Sequence, residues 1–377
     1  MRWCFFSCGY RSIQVLNGDT RTTGGAEAQV AHLATALARV GHEVGLIYGD
    51  GSQQASQRMV AGVTCIDAAP SWRHPASLPT FWRAMDFLSP DLIYARLPSD
   101  FLWVIGLFAR CRGKARLVYA LASDLHCDPW TAYKYKRWFH APLFGLGLRT
   151  ADVIALQHAH QERLVSPGLR TRLIHVPNLV CSVDNLPRAY EATKFDAIWV
   201  GQIRPAKGPN HFLDLAFALP DLRFAVVGGF MPGLSGHWRA SLEQRLLEIN
   251  NLDYFGPQNA EDVMALMRQS KVLVNTSPAE GFPNTMLEAW STGVPVVSLT
   301  VDPGGVIGRE QIGIVSGTMA QLKGDTYTLA RSASLNQRFG NKGLTYVRER
   351  HSLKAVCEAL TQALPEAQLV PVTAHTF

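Results

Sequence analysis

Residues 271–298 read KVLVNTSPAEGFPNTMLEAWSTGVPVVS. The apolar run Val272-Leu273-Val274 predicts a strand buried on both faces, the kind found in parallel sheets. Polar Asn275-Thr276-Ser277-Pro278 ends it, and Glu280-Gly281-Phe282-Pro283-Asn284 leads into a helix over 284–292. Pro283 fits the first helical turn, where a missing N–H costs nothing. Gly281 lets the backbone approach a ligand closely. The N–H groups of Asn284, Thr285 and Met286 would then face outward as an anion site suited to a pyrophosphate. Glu288 lies eight positions after Glu280. Five helical residues past Pro283 span about 7–8 Å, so one carboxylate can stand at the sugar end of a nucleotide sugar and the other at its ribose. Thr292-Gly293 closes the helix, and Val294-Pro295-Val296-Val297 opens the next strand.

Working outward, strand-like runs occupy 195–200, 223–228, 271–275 and 294–298, with helical patterns at 208–218, 236–249, 259–269 and 284–292. Upstream, strands at 3–8, 43–48, 91–95, 116–121 and 152–156 alternate with helices at 26–40, 76–87, 100–111 and 130–148. Such alternation predicts α/β architecture with parallel sheets covered on both faces. Two Rossmann-like domains facing across a cleft follow: residues 1–178 on the acceptor side, a linker over 179–194, and residues 195–363 binding the nucleotide sugar. Residues 335–363 read as helical and basic, and 364–377 as a flexible tail.

The 377 residues suffice for two domains. Lys+Arg 36 against Asp+Glu 30 leaves a net charge of +6, without a basic block that would point to nucleic acid. Seven scattered cysteines form neither a Cys-x-x-Cys pair nor a zinc pattern, which fits a reducing, cytoplasmic setting. The short apolar start reads as a strand rather than a signal peptide, and the apolar run near 101–109 falls well short of a membrane span.

A second loop follows the strand Ala197-Ile198-Trp199-Val200: Gly201-Gln202-Ile203-Arg204-Pro205-Ala206-Lys207-Gly208. Lys207 is the candidate for the donor diphosphate, because a flexible point charge suits it. Thr22-Thr23-Gly24-Gly25-Ala26-Glu27 opens the helix over 26–40, and a Gly-Gly turn there can approach a phosphate or sugar.

Glu280 through Glu288 resembles the Glu-x7-Glu signature of retaining glycosyltransferases of family 4, which have the glycosyltransferase-B fold. The likeness is specific over 272–298 and looser along the rest of the chain. It implies that Glu280 lies at the donor sugar, that Glu288 binds the ribose, and that Gly281, Phe282, Pro283 and Asn284 contact sugar and phosphates. Gly201–Gly208 resembles the family's phosphate loop. Gln202 stands where Arg is usual, with Arg204 as a substitute phosphate contact. The resemblance places Gly24 and Gly25 facing the donor, and makes Leu173-Ile174-His175-Val176-Pro177-Asn178 the connector between domains. It further implies retention of configuration, no metal and no cofactor, with the nucleotide diphosphate sugar as co-substrate.

On the acceptor side, Asp124, His126 and Arg96 follow predicted strands and are candidates for contact with sugar or acceptor. A glycan or lipid-linked acceptor hydroxyl would receive the sugar, in glycan, polysaccharide or glycolipid biosynthesis. Tyr133-Lys134-Tyr135-Lys136-Arg137-Trp138-Phe139 reads first as a helix with a solvated basic edge, and second as a peripheral contact with the inner membrane face. Competing readings are a nucleotide-sugar epimerase or sugar phosphorylase on the same fold, or a non-catalytic nucleotide- or glycan-binding protein. A nicotinamide dehydrogenase is disfavoured, since no G-x-G-x-x-G turn follows the first strand.

Overall fold

The computed structural model describes residues 1–19, 24–49, 56–71, 74, 76–113, 115–134, 138–184 and 190–363. These fall into two compact units, one of residues up to 181 together with 352–363, the other of 182–351.

The first unit is built on eight strands: β1 (Arg2–Phe6), β2 (Glu43–Tyr48), β3 (Gln57–Val60), β4 (Val63–Asp67), β5 (Leu92–Arg96), β6 (Arg116–Ala120), β7 (Val153–Leu156) and β8 (Leu173–His175). Their order is β3-β4-β2-β1-β5-β6-β7-β8, and β3–β4 is the antiparallel pair. Successive side chains divide between two cores, as strand geometry requires. Cys4 and Phe6 join Ile93, Phe81 and Phe108 on one face. Trp3 and Phe5 join Leu46, Tyr94 and the helix Gly25–Arg39 on the other. The chain runs away from β1 in both directions, so the switch point of this sheet lies between β1 and β5.

The second unit carries β9 (Phe195–Val200), β10 (Phe224–Val227), β11 (Leu252–Tyr254), β12 (Ser270–Asn275), β13 (Val296–Ser298) and β14 (Gly313–Val315). They form a wholly parallel sheet in the order β11-β10-β9-β12-β13-β14. Its switch point lies between β9 and β12, the two strands that feed the quoted loops. The helix Asn284–Ser291 leaves β12's loop and is pinned from behind. Trp290 is fully buried and donates to the Ile312 carbonyl at 2.9 Å. The helix Ala333–Arg350 lies against it at Gly343, where any Cβ would come within 2.8 Å of the Trp290 ring.

Several expectations are corrected. The helical stretch 335–363 breaks at His351-Ser352, and its second part, Leu353–Ala363, belongs to the first unit. Leu353, Val356, Cys357 and Leu360 are buried in the Trp3 core, and that apolar stripe outweighs the sequence neighbourhood. The proposed 195–363 domain therefore ends at 351. The 179–194 linker is no free tether where it is described. Gln29 clamps the Leu179 backbone through N–H and carbonyl at 2.8 and 2.9 Å. Asp184 pairs with Arg268, and the Tyr190 hydroxyl donates to the Ala330 carbonyl. The helix expected over 130–148 is two, Pro129–Ala132 and His140–Thr150. Residues 135–137 and 364–377 lie outside the described residues. Among the described residues no helix is long and apolar enough to cross a membrane.

Candidate active site

Lys207 and Glu280 meet at the carboxyl ends of β9 and β12. The Lys207 Nζ donates to Glu280 Oε1, and both side chains are largely buried. Three groups that the sequence did not single out hold this geometry. The Trp199 indole N–H donates to Thr276 Oγ1 at 3.0 Å, and Thr276 Oγ1 donates to the Lys207 carbonyl at 3.0 Å. Gly208 follows with φ +61°, and a Cβ on it would lie 2.4 Å from the Thr276 carbonyl oxygen. One hydroxyl thus ties both loops, and glycine is required where they touch. The signal was present in Trp199, a polar N–H on a buried strand that must find an acceptor.

Pro283 stands at the helix N-cap with ψ 123°, one position earlier than expected. Its carbonyl accepts from the Met286 N–H at 3.2 Å, so that amide is spent within the helix rather than offered outward. The Phe282 ring turns inward, 5.2 Å from His351 and edge-on to Trp290. The phenyl ring of Phe282 is thus packed on the helix side of the loop rather than offered to a ligand.

Glu288 is half-buried on the same helix, and its carboxylate has no partner among the described residues. Burial pushes that carboxyl up to about 7. A ring of hydroxyl donors, such as a ribose diol, would satisfy it. Arg204 caps the short turn Pro205–Lys207, and its buried Nε has no hydrogen-bond partner among the described residues. Arg204 thus lies on the Lys207 loop with its Nε unengaged among the described residues.

In the first unit Gly24 is the N-cap of the helix Gly25–Arg39. The Glu27 carboxylate folds back over it, close enough that a Gly24 Cβ would lie 2.4 Å from Oε2. Thr22 and Thr23 lie outside the described residues. Arg96, Asp124 and His126 gather at the carboxyl ends of β5 and β6. Arg96 is buried and donates from Nη2 to Asn178 Oδ1 at 2.8 Å. Gln157 donates to the same oxygen at 3.1 Å. Asp124 accepts from Gln161 at 3.0 Å, and His158 Nε2 lies 3.1 Å from its Oδ1. Burial alone would raise the Asp124 carboxyl, but His158 and Gln161 outweigh it and hold it low. Burial, then the charge of Arg96, pushes the His126 imidazole down to about 4, so it is neutral near pH 7. Asn178, expected only as part of a connector, orients Arg96.

The family model of Glycosyl transferases group 1 matches residues 187–315, and that of Glycosyltransferase Family 4 matches residues 23–181. A D-inositol 3-phosphate glycosyltransferase of Mycobacterium sp. (strain KMS) is 33% identical over 107 residues, 27% of this chain. The match spans only 24% of that relative's length. Among solved structures, sucrose-phosphate synthase from Thermosynechococcus elongatus superposes with a TM-score of 0.72 at 16% identity, covering 97% of this chain and 98% of its own. The Anabaena protein HepE in complex with UDP-glucose gives 0.69 at 16% identity, over 97% of this chain and 100% of its own.

Proposed function

The chain belongs to the glycosyltransferases of group 1 and family 4, with the glycosyltransferase-B fold, and from that premise we propose that it moves a sugar from a nucleotide diphosphate sugar to an acceptor hydroxyl. The observation that carries this is the Lys207–Glu280 pair at the switch point of the second sheet, with Glu288 on the helix that follows. The bound UDP-glucose of the HepE complex supports a nucleotide sugar as donor.

In this reading the acceptor oxygen bonds to the donor's anomeric carbon as the bond from that carbon to the diphosphate oxygen breaks. The hydroxyl proton passes to an oxygen of the departing diphosphate, on which negative charge grows as the bond breaks. Lys207 meets that charge, together with the backbone N–H of Gly281, and preorganised positive charge there lowers the barrier. To do so Lys207 exchanges Glu280 for phosphate, which leaves the Glu280 carboxylate beside the sugar. Glu288 accepts from the ribose hydroxyls. Configuration is retained, and neither a metal nor a further cofactor takes part. The product joins a glycan, polysaccharide or glycolipid, made on the cytoplasmic side.

The test is a product assay with labelled nucleotide sugars and a set of glycan and lipid-linked acceptors. A new glycoside together with free nucleoside diphosphate is expected. A rearranged nucleotide sugar without acceptor would show an epimerase instead, and binding without turnover in any combination would leave a non-catalytic protein.

A further inference from the structure

Arg96 ends β5 at the switch point of the first sheet. It is 6% exposed, yet among the described residues no carboxylate pairs with it. Its partners are neutral: Asn178 Oδ1 at 2.8 Å from Nη2 and the Tyr94 hydroxyl at 3.5 Å from Nη1. Its Nε is buried without an acceptor. Asp124, the acid at the next strand end, is engaged by Gln161 and His158 instead. A buried cation held only by neutral groups is destabilising unless something else completes it. His126 adds a second incomplete group, a buried Nδ1 with no partner among the described residues. Arg96 pairs in register with Ala120 at the end of β6, and the turn Asp124–His126 follows that strand end directly.

We propose that Arg96, held by Asn178 and joined by His126, anchors an anion site that takes a phosphate or carboxylate group carried by the acceptor. The word acceptor rests on the glycosyl-transfer reading above; the anion site itself does not. A guanidinium offers a planar fork to such groups, and the idle Nε–H with a neighbouring Nη–H is the edge that binds two oxygens at once. Parallel sheets bind ligands at this end of the strands and at this strand pair. Acceptors without an anionic group would then be poor substrates, at least tenfold lower in kcat/KM than their phosphorylated or carboxylated counterparts.

The experiment is a titration of the full chain, nitrogen-15 labelled, with inorganic phosphate, following the Arg96 Nε–H resonance assigned through Arg96→Lys. The expected result is a saturable downfield shift as the idle N–H gains an oxygen, with calorimetric affinity at least tenfold weaker in Arg96→Lys. No shift into the tens of millimolar overturns the site, whatever the variant does. Repeating the titration with saturating UDP separates the sources. An unchanged response supports an acceptor anion, whereas loss of the phosphate response assigns the anion to the nucleotide and overturns the acceptor claim. Phosphate binding in a protein that transfers no sugar supports the site while sinking the transfer reading. Transfer with no phosphate response sinks the site alone.

Discussion

Lys207 and Glu280, seventy-three residues apart, form a largely buried ion pair at the ends of adjacent strands. The cation expected to hold the donor diphosphate is thus already paired with a carboxylate, and donor binding must trade one anion for another. Glu280→Gln removes the competitor. It should bind nucleoside diphosphate at least as tightly as the native chain while losing about a hundredfold or more in turnover, on the scale of losing one preorganised charge. Calorimetry and single-turnover rates check both halves. Weaker diphosphate binding by Glu280→Gln would contradict the exchange.

Thr276 receives the Trp199 indole N–H and donates to the Lys207 carbonyl. Thr276→Val keeps the shape and strands the buried indole, which should cost about 1–3 kcal/mol in stability. Because Lys207 loses its tether, the KM for donor should rise more than kcat falls. Denaturant unfolding with steady-state kinetics measures both, and Thr276→Ser should restore both. Gly208→Ala should act similarly, since φ +61° and the 2.4 Å approach to the Thr276 carbonyl leave no room for a methyl group.

Glu288 should give the protein a pH signature. Burial raises its carboxyl from 4.5 to about 7. Between those values the folded chain holds a proton that the unfolded chain has lost. The stability it contributes is full below the lower value and is lost as pH rises through the upper one. Glu288→Gln should match the native protein at acid pH and exceed it above neutrality, on the order of 1–2 kcal/mol once partial exposure is allowed for. Nucleotide affinity should run the other way, rising through neutrality in the native chain as the carboxylate forms and staying flat in Glu288→Gln. Melting curves and titrations across that range read both trends.

The terminal helix is a structural part of the first unit. Leu360 is fully buried in the Trp3 core. Leu360→Ala should destabilise that unit by about 2–5 kcal/mol. Nucleotide binding by the second unit should persist in the folded variant. Hydrogen exchange resolved by segment would show whether the loss falls on β1 and its neighbours, as expected, or on β9 to β14.

Much of this was legible in the chain because parallel strands are continuous apolar runs and their helices carry clear periods. The strand ending at Asn275 and the helix from Asn284 were read within a residue or two. The hairpin of β3 and β4 was not, because its turn uses Ala61 at φ 50° before Gly62, a left-handed alanine that no turn signature announces. β11 and β14 are three residues each, too short for a period to show. Glu280 and Glu288 could be singled out because their motif lies within one loop and the helix after it, whereas the meeting of Lys207 with Glu280 could not be read from spacing. Arg96 with Asn178, and Thr276 with Trp199, join residues about eighty positions apart. Spacing within one element does not reveal such pairs; only the register of the sheets does.

The most direct measurement is calorimetric titration of UDP, GDP and ADP into the native chain and into Lys207→Met, with Arg96→Lys as a control. The account predicts that one of these nucleotides binds the native chain, binds Lys207→Met about tenfold to a hundredfold more weakly, and binds Arg96→Lys normally. Equal affinity for the native chain and Lys207→Met would show that the diphosphate is not held where β9 and β12 end, and would contradict the donor site described here.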